Sequence, residues 1–214
     1  MAVNLSALDN SAQALIALSA AIADGTVTRI ESRVAEARHA GVSSRAIDEL
    51  VLQSVLTVGW PRALVAAGAC RSDITNEASD RADDLDYDRH AEWTARGEAT
   101  CRVIYGDHYD KLRTNVRQLH PALEAWMITE GYGRTLSRPG LDLKSRELCT
   151  VAQTAVLRTP RQLHSHLLGA LRAGASTDEI TATLNCARSL LSPSDWDDVM
   201  VLWNRVRSAQ TEAT

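Results

Sequence analysis

Apolar residues recur every three or four positions along most of the chain, and no segment shows sustained one-to-one alternation. The first spacing makes one apolar face on a helix, whereas alternation is what a half-buried strand requires. Residues 5–23 read as a helix, broken by Asp24-Gly25-Thr26. A second helix runs to about Ala40 and stops at Gly41, a residue suited to the left-handed turn after a helix. Ser43 offers an N-cap for a third, with Ile47, Leu50, Val51 and Val55 at helical spacing. Gly59-Trp60-Pro61 ends that helix, and a short one follows over 62–69.

The pattern fails between 71 and 90, where seven acids crowd a stretch with little apolar periodicity. It reads as an exposed connector whose carboxylates are solvated, because a flexible acidic run lacks the fixed geometry a cation requires. Helical spacing resumes at Ala91. One helix carries Trp93, Ala95 and Val103 and ends at Gly106-Asp107; others cover 109–118 and 121–129. Gly131-Tyr132-Gly133 and Arg138-Pro139-Gly140 bracket a predicted loop. A buried helix follows over 141–157. Thr159-Pro160 opens the next, which ends at Gly174, and Ser176-Thr177-Asp178-Glu179 is a capping box. Ser192-Pro193 starts the last helix, with Trp196, Val199, Leu202 and Trp203 on its inner face.

Shifting the chain by 133 residues lays 14–47 on 147–180 without a gap. Thr26 meets Thr159, and Gly41, Ser43 and Ile47 meet Gly174, Ser176 and Ile180. This predicts two helical hairpins, neither able to bury its apolar face alone, packed about a pseudo-two-fold axis. The expected organisation is a degenerate first repeat (1–70), the acidic connector (71–90) and a second repeat (91–214). The fold class expected is all-α.

Composition adds exclusions. Ala and Leu dominate the apolar 45% and Phe is absent, which favours helix over sheet. The net charge of −4 argues against a nucleic-acid partner, which normally meets a basic stripe. No apolar run reads as long enough to span a membrane, and the N-terminus lacks the basic region of a signal peptide, so a cytoplasmic location is expected. Cys70, Cys101, Cys149 and Cys186 are isolated and form no C-x-x-C pair, so neither a dithiol nor a metal site is indicated.

Chemistry concentrates in the second repeat. Glu147 and His166 fall on adjacent predicted helices, and a carboxylate that orients an imidazole is a minimal proton-transfer device. The plainer alternative has His166 capping or packing a helix and Glu147 pairing with Arg146 or Arg161. His164, two residues from His166, points about 200° away on a helix. Arg138, just ahead of the Glu147 helix, is a candidate bidentate clamp for a substrate carboxylate, or a surface arginine. The first repeat has Ala14 in place of Glu147 and Arg33 in place of His166. Arg33 is read as a salt-bridge partner or a second carboxylate clamp.

The run from Leu136 to Leu148, Leu-Ser-Arg-Pro-Gly-Leu-Asp-Leu-Lys-Ser-Arg-Glu-Leu, and the run from His166 to Ile180 together resemble the carboxymuconolactone decarboxylase family. That family belongs to the alkyl hydroperoxidase D superfamily. The resemblance spans 92–180, including Tyr-Gly-Asp-His-Tyr at 105–109, and again 28–68 with Gly-Trp-Pro-Arg-Ala-Leu. It implies the helical fold of that superfamily. The peroxidase branch carries a Glu, a C-x-x-C pair and a His. Glu147 and His166 fall on the Glu and His, but Thr159 and Gln162 stand at the two Cys positions. A thiolate and its resolving partner are therefore missing from the motif. Trp60 belongs to a segment that lines the pocket in related proteins, and the second repeat has Leu-Ser-Pro-Ser-Asp-Trp in place of the matching Gly-x-Pro, which alters the pocket.

The resemblance implies a cofactor-free lyase acting on a small or medium carboxylated lactone or β-keto acid, with His166 and Glu147 catalytic and Arg138, Trp60 and Arg33 binding substrate. Two alternatives stand beside it: a cofactor-free isomerase or cyclase of specialised metabolism, and a non-catalytic helical assembly or binding protein. The family's hairpins build trimers or hexamers, so a two-repeat chain is expected as a homo-oligomer, a trimer first and a dimer next.

Overall fold

Asp9 begins the fold: its carboxylate accepts a hydrogen bond from Ala12 N at 2.7 Å and caps α1, Asn10–Asp24. The helix expected from residue 5 therefore starts at Asn10, where the acid satisfies an otherwise orphaned amide. The computed structural model describes residues 7–71 and 85–212, so most of the acidic connector lies outside it. All regular structure among the described residues is helical.

α2 spans Val27–His39 and α3 spans Ser44–Ala69, the latter broken at Gly59 (φ 71°, ψ 170°) ahead of Pro61. Past the connector come α4 (His90–Tyr105), α5 (Tyr109–Leu119) and α6 (Pro121–Trp126). α7 covers Leu143–Val156, α8 Pro160–Arg172, α9 Thr177–Ala187 and α10 Pro193–Glu212.

The 133-residue offset holds in three dimensions. α1 and α7, α2 and α8, and α3 and α9 begin at equivalent positions. Asp9 and Asp142 cap equivalent helices, as do Ser43 and Ser176. Gly41 and Gly174 both adopt positive φ, and the break at Gly59 corresponds to the gap between α9 and α10. α1 and α7 pack at the centre. Ile16, Leu18, Ile22, Leu148 and Val151 are buried there, and Ser19 Oγ donates to the Cys149 carbonyl at 2.9 Å. The packing pattern survives exchange of the repeats: α3 touches both α1 and α7, and so does α9.

Two expectations need correction. The predicted loop at 131–140 is helical in its first part: a π-helical segment, Met127–Leu136, runs on from α6, and only 137–142 is non-helical. The glycines of the π-helical segment serve close approach rather than turning. A Cβ at Gly133 would stand 1.9 Å from Trp93 O, and one at Gly97 2.0 Å from Ile128 O, so α4 and this segment touch backbone to backbone. On α4 the buried residues are Trp93, Gly97, Cys101 and Ile104, at helical spacing, whereas Ala95 and Val103 face outward. The second correction concerns α3. An 18-residue window of it has mean hydropathy 1.4, and by length and composition alone it is long and apolar enough to cross a membrane, where none was expected. Only 28% of that window is buried, and Leu52, Leu56, Trp60 and Leu64 are exposed.

Candidate functional site

Glu147 sits on the buried face of α7 and His166 on the facing side of α8. Thr159-Pro160 turns the chain between the two helices so that they run side by side. The geometry brings the pair together: His166 Nδ1 lies 2.9 Å from Glu147 Oε2. The carboxylate is fully buried, and the imidazole retains 15% of its side-chain exposure. A buried carboxylate is costly unless it is bonded, and the imidazole supplies the bond. When the carboxylate is ionised it can only accept, so Nδ1–H then donates and Nε2 is left for other chemistry. Glu147 Oε1 is buried and has no hydrogen-bond partner.

Gly169 makes this approach possible. A Cβ there would stand 2.4 Å from Glu147 Oε2 and 2.8 Å from Ile104 Cγ2, so only a glycine lets α8, the carboxylate and α4 meet. Arg172 Nη1 donates to Ile104 O at 2.8 Å and pins the end of α4 to α8.

α4 and the π-helical segment bring Cys101, Ile104, Tyr105 and Tyr132 together in one cluster, close enough to Glu147 to feel its charge or, for Ile104, to share the space at Gly169. The rings of Tyr105 and Tyr132 meet edge to face with centroids 6.2 Å apart. Burial pushes the Tyr132 phenol well above its ordinary value, with added repulsion from Tyr105, Cys101 and Glu147. Burial likewise raises Tyr105, opposed by hydrogen bonds with Tyr132 and Ser165. Both phenols thus stay protonated and act as hydroxyl donors. The signal was present in Tyr-Gly-Asp-His-Tyr and Gly-Tyr-Gly, but a cluster contributed by distant segments has no local spacing.

The other residues named from sequence go elsewhere. Arg138 clamps a carboxylate of the protein itself: Nε and Nη2 each lie 3.0 Å from Glu49 Oε1. Arg146 Nη2 reaches the same Glu49 at 2.8 Å and its Nη1 reaches Gln53 at 3.1 Å, so Arg146 partners α3 rather than Glu147. Arg33 pairs with Glu36 and lines a cavity of the first hairpin. Trp60 is 67% exposed beside the break in α3, and His164 is exposed. Among the described residues no cluster of His, Cys, Asp and Glu could hold a metal ion. Burial pushes the Cys101 and Cys149 thiols up to about 12, the opposite of what a thiolate nucleophile needs.

A helical hairpin with an acid and an imidazole hydrogen-bonded across it, repeated once in degenerate form, is the pattern the sequence resemblance implied. The model of the carboxymuconolactone decarboxylase family matches residues 1–71 and 121–192, one stretch in each repeat and more than half of the chain. The chain belongs to the carboxymuconolactone decarboxylase family. Searching curated proteins finds no match. Glu147, His166, Gly169 and Tyr132 lie inside the family match, whereas Cys101, Ile104 and Tyr105 lie outside it. Residues 92–120, which the sequence resemblance included, are not among the matched ones.

Proposed function

We propose that the protein is a cofactor-free lyase of the carboxymuconolactone decarboxylase type, in which His166 moves a proton at the substrate and Glu147 holds its ring. The observation that carries this reading is the 2.9 Å contact between His166 Nδ1 and the buried Glu147 carboxylate, in a chain of this family. The substrate class is a small carboxylated lactone or β-keto acid. As the carbon–carboxylate bond breaks, carbon dioxide leaves and the electron pair moves into the adjacent unsaturated carbonyl system, giving an enolate or dienolate. His166, protonated at Nε2, delivers that proton to carbon and regains one from water. Glu147 stabilises the imidazolium through Nδ1. Tyr105 and Tyr132 provide neutral donors for the enolate oxygen.

The test is carbon dioxide release from 4-carboxymuconolactone and from a panel of β-keto acids, run in deuterated water. The expected product carries deuterium at the reprotonated carbon, and His166→Asn lowers turnover about 10²–10⁴-fold. Full activity in His166→Asn would overturn the proposal.

A second reading is favoured by the altered segment Leu-Ser-Pro-Ser-Asp-Trp of the second repeat, which stands where the first has Gly-Trp-Pro. The same pair can remove a proton from one carbon and return it to another, which makes an isomerase or cyclase. Turnover that depends on His166 with no carbon dioxide released selects this reading over the first.

We also propose that the protein works as a homo-oligomer, a trimer by preference, with the exposed apolar side of α3 covered by another copy. Light scattering across a concentration series tests this, and a constant monomer mass would refute it.

A further inference from the structure

A cavity of about 140 Å³ opens in the first hairpin, between α1, α2 and the turn that follows α9. Ala17, Ala21, Arg29, Arg33, Cys186 and Ser189 line it. The repeat offset gives this cavity a meaning. Arg33 stands at the position of His166, Arg29 at that of Gln162, and Ala17 and Ala21 at those of Thr150 and Thr154. Cys186, from the second repeat, corresponds to Gln53 of the first. The cavity is therefore the degenerate hairpin's copy of the surface beside His166, with an exchanged set of side chains. Small alanines open the space, and two guanidinium groups one helical turn apart replace an imidazole and an amide.

The charge of this cavity is also exchanged. The counterpart of Glu147 is Ala14, and no acid lines the cavity among the described residues. The arginines' carboxylate partners come from the sides: Arg29 Nη1 lies 2.9 Å from Asp24, and Arg33 Nη1 meets Glu36. Both pairs are partly exposed, so solvent screens them and a better-placed anion can compete. Burial pushes the Cys186 thiol up to about 11, so it adds no negative charge at neutral pH, and Ser189 brings a hydroxyl.

We propose that this cavity is a second binding site, selective for a compact oxyanion such as a carboxylate or phosphate group held between Arg29 and Arg33. A planar guanidinium fork matches two oxygens of either group, and the volume suits a few non-hydrogen atoms. In the course of duplication, one hairpin kept a proton-transfer pair and the other became a receptor for negative charge. This inference does not depend on the reaction proposed for His166.

The test is calorimetric titration of the full chain with inorganic phosphate and, separately, malonate. Saturable binding is expected with a dissociation constant of about 0.1–10 mM. The tighter of the two probes identifies which oxyanion the site prefers. Arg33→Gln is expected to weaken binding about tenfold or more, and Arg33→Lys less, since the lysine keeps the charge and loses the fork. Ala17→Leu, which fills the cavity without touching a charge, is expected to weaken it as well. His166→Asn should bind like the parent. Absence of saturable binding below about 50 mM would overturn the proposal, as would binding that survives both Arg33→Gln and Ala17→Leu or that disappears with His166→Asn.

Discussion

Gly169 leaves the Glu147 carboxylate no room to spare: a β-carbon at position 169 would lie 2.4 Å from Oε2. Gly169→Ala is therefore expected to displace Glu147 from His166 or to push α8 away from α4. Overpacking of this kind costs about 1–3 kcal/mol. The expected result is a lower thermal midpoint together with lost turnover. An alanine variant with unchanged melting and unchanged rate would show that the contact tolerates a methyl group.

Glu147→Gln separates orientation from charge. The amide keeps the shape and can still accept from Nδ1, but it cannot stabilise an imidazolium. Turnover is expected to fall about 10²–10⁴-fold, with little change in KM. Stability is expected to hold or rise, because a fully buried carboxylate is replaced by a neutral group. Steady-state kinetics and urea denaturation on the same samples would check both halves.

Alkaline pH should weaken the fold. Burial lifts the thiols of Cys101 and Cys149 from 9.0 to about 12. A group whose folded value is raised lends stability that is complete below the unfolded value and is lost as pH climbs towards the folded one. Urea midpoints should thus be flat up to about pH 8.5 and fall steadily above it. Cys149→Ala should flatten that decline, whatever it does to stability at neutral pH.

Arg158 holds the left-handed conformation (φ 55°) at the position where the first repeat has Gly25 (φ 83°). Its side chain is 68% exposed and only approaches Asp195, at 3.7 Å. Arg158→Gly should relieve the strain at the cost of a more flexible unfolded chain, for a net stabilisation of about 0.5–1 kcal/mol. Thermal unfolding checks the sign.

The helices were legible from sequence because their signals are local. Ser43, Ser176 and the glycines at 41 and 174 carry cap chemistry that needs no partner, and each does its expected job. The π-helical segment was not legible. Gly131-Tyr132-Gly133 reads as a turn unless the backbone of α4 is known to press against it, and that contact links residues 40 apart in the chain. The proximity of Glu147 and His166 was foreseen because a helical hairpin fixes which residues face each other. The destination of Arg138 was not, since its partner Glu49 lies 89 residues away in the other repeat. Tyr105 and Tyr132 were missed for the same reason: each borders the pair only after α4 folds over α8.

Glu49 accepts hydrogen bonds from Arg138 and Arg146, both belonging to the other half of the chain. Its own counterpart in that half, position 182, is an alanine. This knot of charge has no mirror image, so the two halves have stopped being interchangeable parts. A version assembled from two copies of either half would lack either the acid or its basic partners. The fit between the halves runs one way: the first supplies the acid and the second the bases, so each half is cut to the other and not to a copy of itself.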